Sequence, residues 1–402
     1  MKDKVQFICP KCYCENRIKD ITYYSPSKMR VFRPVIVGAG IEFPLKDVVT
    51  DQLCEGESIK FSTVVSENNI NSMGIFSEDG KPLIAICKNC FENSEHTEIP
   101  EEIFRGNYKT FVIAGSKGVG KTELFTLMTD DIQRYGHKYF EGDAVSYIES
   151  SEEKSKRRQR IESLKRNGRL DGTANDSRES IIFKVKRSSS KEEVYSIYDA
   201  AGEKFDDYSS STLASHAYFN NAKGIFLLID ILQLSGVKSR VSPELRSEYS
   251  GIRNQDVTSI VSNLTKIIRS SRSISQGAKI SIPIAVILTK VDVILKDFSD
   301  IFDEEFIKIG FTKDKSIERI ELINNVTENF LNNIGEVALL SQLRSEYSNI
   351  KFFILSSRGL NFEVGEDEDI DSFLVELPLI WLMKGNEHNS LKSRFMTWLG
   401  GQ

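Results

Sequence analysis

Not one cysteine lies beyond residue 90 of this 402-residue chain. That absence excludes a disulfide framework for most of the sequence. The clustering of all six cysteines in the first 90 residues points instead to one local metal site in a reducing compartment. No apolar run approaches the roughly 20 residues that a membrane span needs. The first residues, MKDKVQFICPKC, hold no apolar signal core, so the expected compartment is the cytoplasm. Charge of one sign is not in excess either. A net charge of -5 argues against bulk binding to nucleic acid or an anionic membrane. No internal repeat is present. What remains is an ordinary globular composition, long enough for about two or three cores.

The organisation changes near residue 108. Residues 1–100 carry short β-like runs (VFRPVIVG, SIKFSTVV, PLIAIC) separated by turn signals such as NNINS and EDGKP. Beyond them, apolar strands alternate with helical stretches. TFVIA, IIFKVK, VYSIYDA, GIFLLID, IPIAVILTK and KFFILSS read as six strands. Helices are expected over 121–134, 206–221, 256–272 and 370–383. The alternation predicts an α/β fold with a mostly parallel sheet covered on both faces. The short RSSSKEE connection makes IIFKVK and VYSIYDA an antiparallel hairpin at one edge. Residues 135–172 are polar, 233–254 read as a loop, and 296–345 carry helical apolar spacing.

FVIAGSKGVGKTELF, residues 111–125, is the most informative stretch. Gly115, Ser116, Lys117, Gly118, Val119, Gly120, Lys121 and Thr122 fit G-x-x-x-x-G-K-[ST] at every fixed position, after a strand and before a helix. Glycines let backbone N–H groups turn around phosphate oxygens, and the helix N-terminus adds partial positive charge. Lys121 is placed to reach the β- and γ-phosphates, and Thr122 to offer its hydroxyl to Mg²⁺.

Three later elements select the base. Asp199-Ala200-Ala201-Gly202 ends a strand; Asp199 suits the Mg²⁺ water shell and Gly202 a γ-phosphate contact, although D-x-x-G alone signals only a turn. Thr289-Lys290-Val291-Asp292 ends IAVILT, where α/β sheets bind ligands. A carboxylate at Asp292 can accept from the two donors that guanine has and adenine lacks. The Lys290 stem can pack over the base and against the phosphate loop. Ser356-Ser357-Arg358 follows KFFIL, where its backbone could bond the guanine carbonyl. Thr173, in RLDGTANDS, could close on Mg²⁺ and the γ-phosphate.

GSKGVGKT, Thr173, DAAG, TKVD and SSR, in that order, make residues 108–384 resemble a Ras-like GTPase of the class that includes translation factors. The layout and the DAAGE wording are also similar to bacterial double-GTPase proteins of conflict and defence loci. The first resemblance implies a GTP/GDP switch with Mg²⁺, in which Lys121, Gly202 and Glu203 serve the reacting phosphate. The second implies a protein partner, which could be a second GTPase. Two departures stand out. Thr289 replaces the commoner Asn. Glu203 stands where relatives carry Gln or His to position the attacking water; a carboxylate can accept from that water but cannot donate to the γ-phosphate. A GTP-binding scaffold without turnover is the alternative.

Cys9-Pro10-Lys11-Cys12 and Cys87-Lys88-Asn89-Cys90 form two C-x-x-C pairs, and four thiolates suit tetrahedral structural Zn²⁺. The separation is long: 87 minus 12 minus 1 gives 74 residues. A small β subdomain is therefore expected between the pairs, within a zinc-ribbon β module over 1–100. Cys14 could replace Cys12, and Cys54 reads as a core thiol. KSKRRQRIESLKRNGR, residues 154–169, holds eight Lys or Arg against Glu162 alone. It reads as a solvated helix, or as a surface for nucleic acid or an acidic partner; no aromatics interleave it for base stacking. Over 385–402, Leu391, Phe395, Trp398 and Leu399 fall at helical spacing, as in a tail helix.

Overall fold

The computed structural model describes the strands of the first hundred residues with Cys9 and Ile103. Beyond them it describes 108–139, 144–149, 151–167, 180–186, 192–199, 218–243, 245, 256–302, 306–308, 317–357, 359 and 372–384. The chain divides into two compact units. One is Met1–Thr110 with Glu179–Ser196, the other Phe111–Arg178 with Ile197–Gln402.

In the first unit, β1 (Gln6–Ile8) and β2 (Glu15–Arg17) form an antiparallel pair. β3 (Ile21–Ser25), β4 (Arg30–Pro34), β5 (Glu42–Asp47), β6 (Leu53–Ser66) and β7 (Asn69–Ser77) then run as a meander. With β8 (Ile84–Cys87) and β9 (Glu98–Ile99) they make an antiparallel sheet of order β7-β6-β5-β4-β3-β8-β9. The meander thus occupies the stretch between the two C-x-x-C pairs.

The second sheet carries the candidate site. It comprises β10 (Tyr108–Ala114), β11 (Ala144–Ile148), β12 (Ser180–Lys186), β13 (Glu192–Asp199), β14 (Ala222–Asp230), β15 (Ile284–Thr289) and β16 (Ile350–Ile354). Their order is β11-β12-β13-β10-β14-β15-β16, a mostly parallel mixed sheet. It has seven strands, not the six read from the sequence. The additional one, β11, lies in the polar stretch 135–172. Val145, Tyr147 and Ile148 are only half-buried and Ser146 is exposed, so this edge strand lacks the apolar run that marks the central ones.

β14 and β15 are such runs, and they are buried along almost their whole length, as parallel strands covered on two faces must be. Their parallel register sets Asp230 opposite Thr289, and Leu288 opposite Ile354 of β16. The carboxyl ends of three neighbouring strands therefore share one edge.

Helices supply the covering layers. α1 (Lys121–Tyr139) runs longer than the expected 121–134 and buries Leu124, Phe125, Met128 and Ile132. α2 (Ser151–Asn167) carries the basic segment. Lys154, Lys156, Arg158 and Arg166 are exposed, as a solvated face requires. Arg157 is not. It is 8% exposed, with Nε and Nη2 on Glu149 at 3.0 and 2.8 Å and Nη1 on Gln133 at 3.0 Å, and it lies over the Tyr147 ring. Together with Ile161 and Leu164 it anchors the helix to the core.

α3 (Val257–Arg272) shows the apolar spacing of a half-buried helix through Val257, Ile260, Val261, Leu264, Ile267 and Ile268. Asp256 caps it by accepting from the Thr258 N–H at 3.2 Å. The bond from the Thr258 hydroxyl holds the Asp256 carboxyl below its ordinary pKa. The segment 296–345 contributes α4 (Ile317–Asn333) and the start of α5 (Val337–Glu346). A last helix, α6, spans 377–384. The stretch read as a loop from 233 includes a helical turn, Ser235–Arg240, whose Gly236 packs so closely on Ile334 that a Cβ would lie 1.9 Å from its carbonyl oxygen.

Candidate functional site

β10 ends at Ala114, and the chain turns through 115–120 into α1. The turn needs its glycines for two different reasons. Gly115 has φ 155°, and a Cβ there would come within 2.7 Å of the Leu228 carbonyl oxygen of β14. Gly118 has φ 83° in open space, so its requirement is one of backbone conformation alone.

Four carbonyls of this loop receive side-chain donors. Lys121 Nζ folds back to donate to Gly115 O at 3.0 Å and Ser116 O at 2.8 Å. Lys290 Nζ donates to Gly118 O at 3.2 Å. Thr289 Oγ1 donates to Val119 O at 3.0 Å and also approaches Ile229 O. The end of β15 thus braces the second half of the loop, while Lys121 braces the first. The sequence placed the Lys290 stem over the base and against the phosphate loop; in this structure its ammonium bonds the loop, and so does the Thr289 hydroxyl.

Lys290 has a second partner that the sequence did not disclose. Asp230, at the end of β14, is wholly buried, and its Oδ2 accepts from Lys290 Nζ at 2.6 Å. Its Oδ1 caps the 3-10 turn Ile231–Gln233 through Leu232 N at 3.0 Å. Lys290 itself adopts the left-handed conformation, φ 65° and ψ 37°, uncommon for a residue with a Cβ. The buried ion pair holds the ammonium in place there.

The turn that follows, Val291–Ile294, carries Asp292. Asp292 is half-buried, and its Oδ1 accepts from Ser356 Oγ at 2.6 Å. Ser356 is fixed in turn by paired backbone bonds with Phe373, at 3.1 and 2.9 Å. Val291 N donates to Leu355 O at 3.2 Å, and Leu355 N to Leu288 O at 2.9 Å. The TKVD and SSR segments, 64 residues apart at Asp292 and Ser356, therefore meet at one carboxylate with a fixed orientation. Ser357 sits in the turn beyond.

Other sequence-derived positions are reached only in part. Thr122 lies in the first turn of α1, half-buried. Asp199 ends β13, but its side chain is outside the described residues, as are Thr173, Gly202, Glu203, Arg358 and the tail 385–402. Of the cysteines, Cys9 follows β1 and Cys87 ends β8, both fully buried. Cys12 and Cys90 lie outside the described residues. Among the described residues no three His, Cys, Asp or Glu side chains gather as a metal site. No described helix is long and apolar enough to cross a membrane.

No family model matches the chain, and no curated protein does. Among solved structures it is similar to the small GTPase Arl6 (BBS3) of Trypanosoma brucei with a bound nucleotide analogue, GppNp. The identity is 12%, the TM-score 0.28, and the match covers 70% of this chain and 98% of that one. It is also similar to Roco2 RocCORdC of Methanosarcina barkeri bound to GDP, at 15% identity and a TM-score of 0.27. That match covers 63% of this chain and 46% of the Roco2 chain, so it spans less than half of its length. Likeness at these TM-scores decides nothing about the ligand.

Proposed function

We propose that this chain binds GTP and GDP with Mg²⁺ at the 115–122 loop and hydrolyses GTP slowly, as a molecular switch. One observation carries the reading: the Asp292 carboxylate is oriented by Ser356, while its neighbours Thr289 and Lys290 are tied to the loop. A group suited to guanine is thereby held at a fixed distance from a group suited to phosphate. In the bound state the loop N–H groups would face the phosphates, with Lys121 on the β- and γ-oxygens. Thr122 and Asp199 would hold the Mg²⁺ shell, with Thr173 joining when GTP is present. Arg358 would flank the base. Gly202 would meet the γ-phosphate, and Glu203 would accept from the attacking water.

Glu203→Ala tests turnover apart from binding. Affinity for GTP should stay near wild type, while single-turnover hydrolysis should slow by about tenfold, a barrier change of about 1.4 kcal/mol. A variant as fast as a clearly active wild type would remove Glu203 from the mechanism. A wild type with no turnover, alone or with a candidate partner GTPase, would replace the switch by a scaffold.

We further propose that Cys9, Cys12, Cys87 and Cys90 hold one structural Zn²⁺. Two buried thiols, one after β1 and one at the end of β8, support this. Thiolates in such pairs match tetrahedral zinc, whose binding would contribute folding energy to the first hundred residues. Elemental analysis of protein purified without chelator should give one zinc per chain. Cys87→Ser should lose it, and unchanged metal content in that variant would refute the assignment.

A further inference from the structure

Gln233 has no part in the reading above, yet it touches the loop. It closes the 3-10 turn Ile231–Gln233 beyond β14, and it is 6% exposed. Its Nε2 donates to Ser116 Oγ at 3.1 Å. Ser116, the second residue of the loop, is 3% exposed. The other amide atom of Gln233, Oε1, has no hydrogen-bond partner among the described residues. Exchanging the two ends of the amide changes only which atom is unmatched. A buried amide atom without a partner lowers folding stability, and an apolar side chain of similar size would avoid that loss. That side chain would in turn leave the buried Ser116 hydroxyl without this donor, so the two effects roughly offset and fold stability gives no net reason for glutamine here.

The loop gives one. Its second half is braced at Gly118 and Val119 by Lys290 and Thr289. Its first half is braced at Gly115 and Ser116 by Lys121. If Lys121 turns to the phosphates, as the proposed function requires, that brace is released. The bond from Gln233 to Ser116 is then the described side-chain tether left on the first half. We infer that Gln233 is a positioning residue for the nucleotide-bound loop, acting through Ser116. The inference rests on the guanine-nucleotide reading and adds a residue that the sequence motifs do not contain.

The test is dissociation of fluorescent GDP, chased with excess unlabelled GDP, in wild type, Gln233→Leu, Ser116→Ala and the double variant. Each single substitution should speed dissociation by about tenfold, the range of one lost hydrogen bond. The double variant should be no faster than either single one, because both remove the same contact. The melting midpoint of nucleotide-free Gln233→Leu should stay close to wild type, an outcome that a merely structural role would not give. Unchanged dissociation in Gln233→Leu, or effects that multiply in the double variant, would overturn the inference while leaving the nucleotide site standing. If Gln233→Leu does not fold, its role is structural and the inference falls. Ser116→Ala gives an independent check: dissociation at the wild-type rate also overturns it. A wild type that binds no guanine nucleotide would remove the underlying reading, and this inference with it.

Discussion

Asp292→Asn should weaken GTP binding by about two to three orders of magnitude, or roughly 3–4 kcal/mol. The carboxylate accepts two hydrogen bonds from guanine in the proposed complex. The amide that replaces it retains one acceptor and turns a donor toward a donor, so one pairing becomes a repulsion. Ser356 should not rescue the variant. Its hydroxyl already donates to Oδ1, and it would orient the new amide by bonding the remaining oxygen, fixing the NH₂ end toward the base. The same argument predicts a gain elsewhere. Xanthine carries a carbonyl where guanine carries its amine, so xanthosine triphosphate should bind the variant better than wild type. Titration of both proteins with fluorescent GTP and with the xanthosine analogue decides the matter. Equal GTP affinity in the two would sink the guanine assignment.

Lys121→Ala should reduce nucleotide affinity by at least about a hundredfold, since a charge-assisted bond to phosphate contributes roughly 1.5–3 kcal/mol and more when several oxygens share it. In this structure the ammonium donates to Gly115 O and Ser116 O. On the proposed reading, binding would exchange these two carbonyl partners for phosphate oxygens. The free loop should survive the substitution, because the tethers from Lys290, Thr289 and Gln233 remain. The expected pattern is a melting midpoint close to wild type without nucleotide and a lost upward shift when GDP and Mg²⁺ are added. A full ligand-induced shift in the variant would remove Lys121 from the phosphate site.

The parts of this site that could be read from the sequence are those with local signatures. Gly115, Gly118 and Gly120 mark a turn wherever they stand, and Lys121 and Thr122 follow at fixed offsets. TKVD could be placed at a strand end because IAVIL is a continuous apolar run. Asp230 and Gln233 were not legible. Their partners lie 60 and 117 residues away, at Lys290 and Ser116, and only the register of β14 on β15 brings the first pair together. Arg157 escaped for a related reason. In a run of cations nothing local marks the one that faces Glu149 and Gln133. β11 is half-exposed and only five residues long, too short for its alternation to stand out from a polar stretch.

The helices of the 296–345 segment invite comparison with an appendage that could be excised to leave a minimal nucleotide-binding core. Arg319 of α4 argues otherwise. It is 2% exposed, and its Nη1 lies 2.9 Å from Oε1 of Glu376, just ahead of α6, which is fully buried. The same carboxylate acts, after burial itself, to raise the pKa of the Tyr139 phenol at the end of α1, and that phenol donates to Asp131 at 2.8 Å. Cutting out α4 would take Arg319 from the buried Glu376 carboxylate, and breaking a buried pair costs about 3–5 kcal/mol. That is a large share of the 5–15 kcal/mol by which a domain of ordinary stability is held folded, on typical figures of roughly this size. The insertion and the start of the last helix are thus coupled through one buried ion pair.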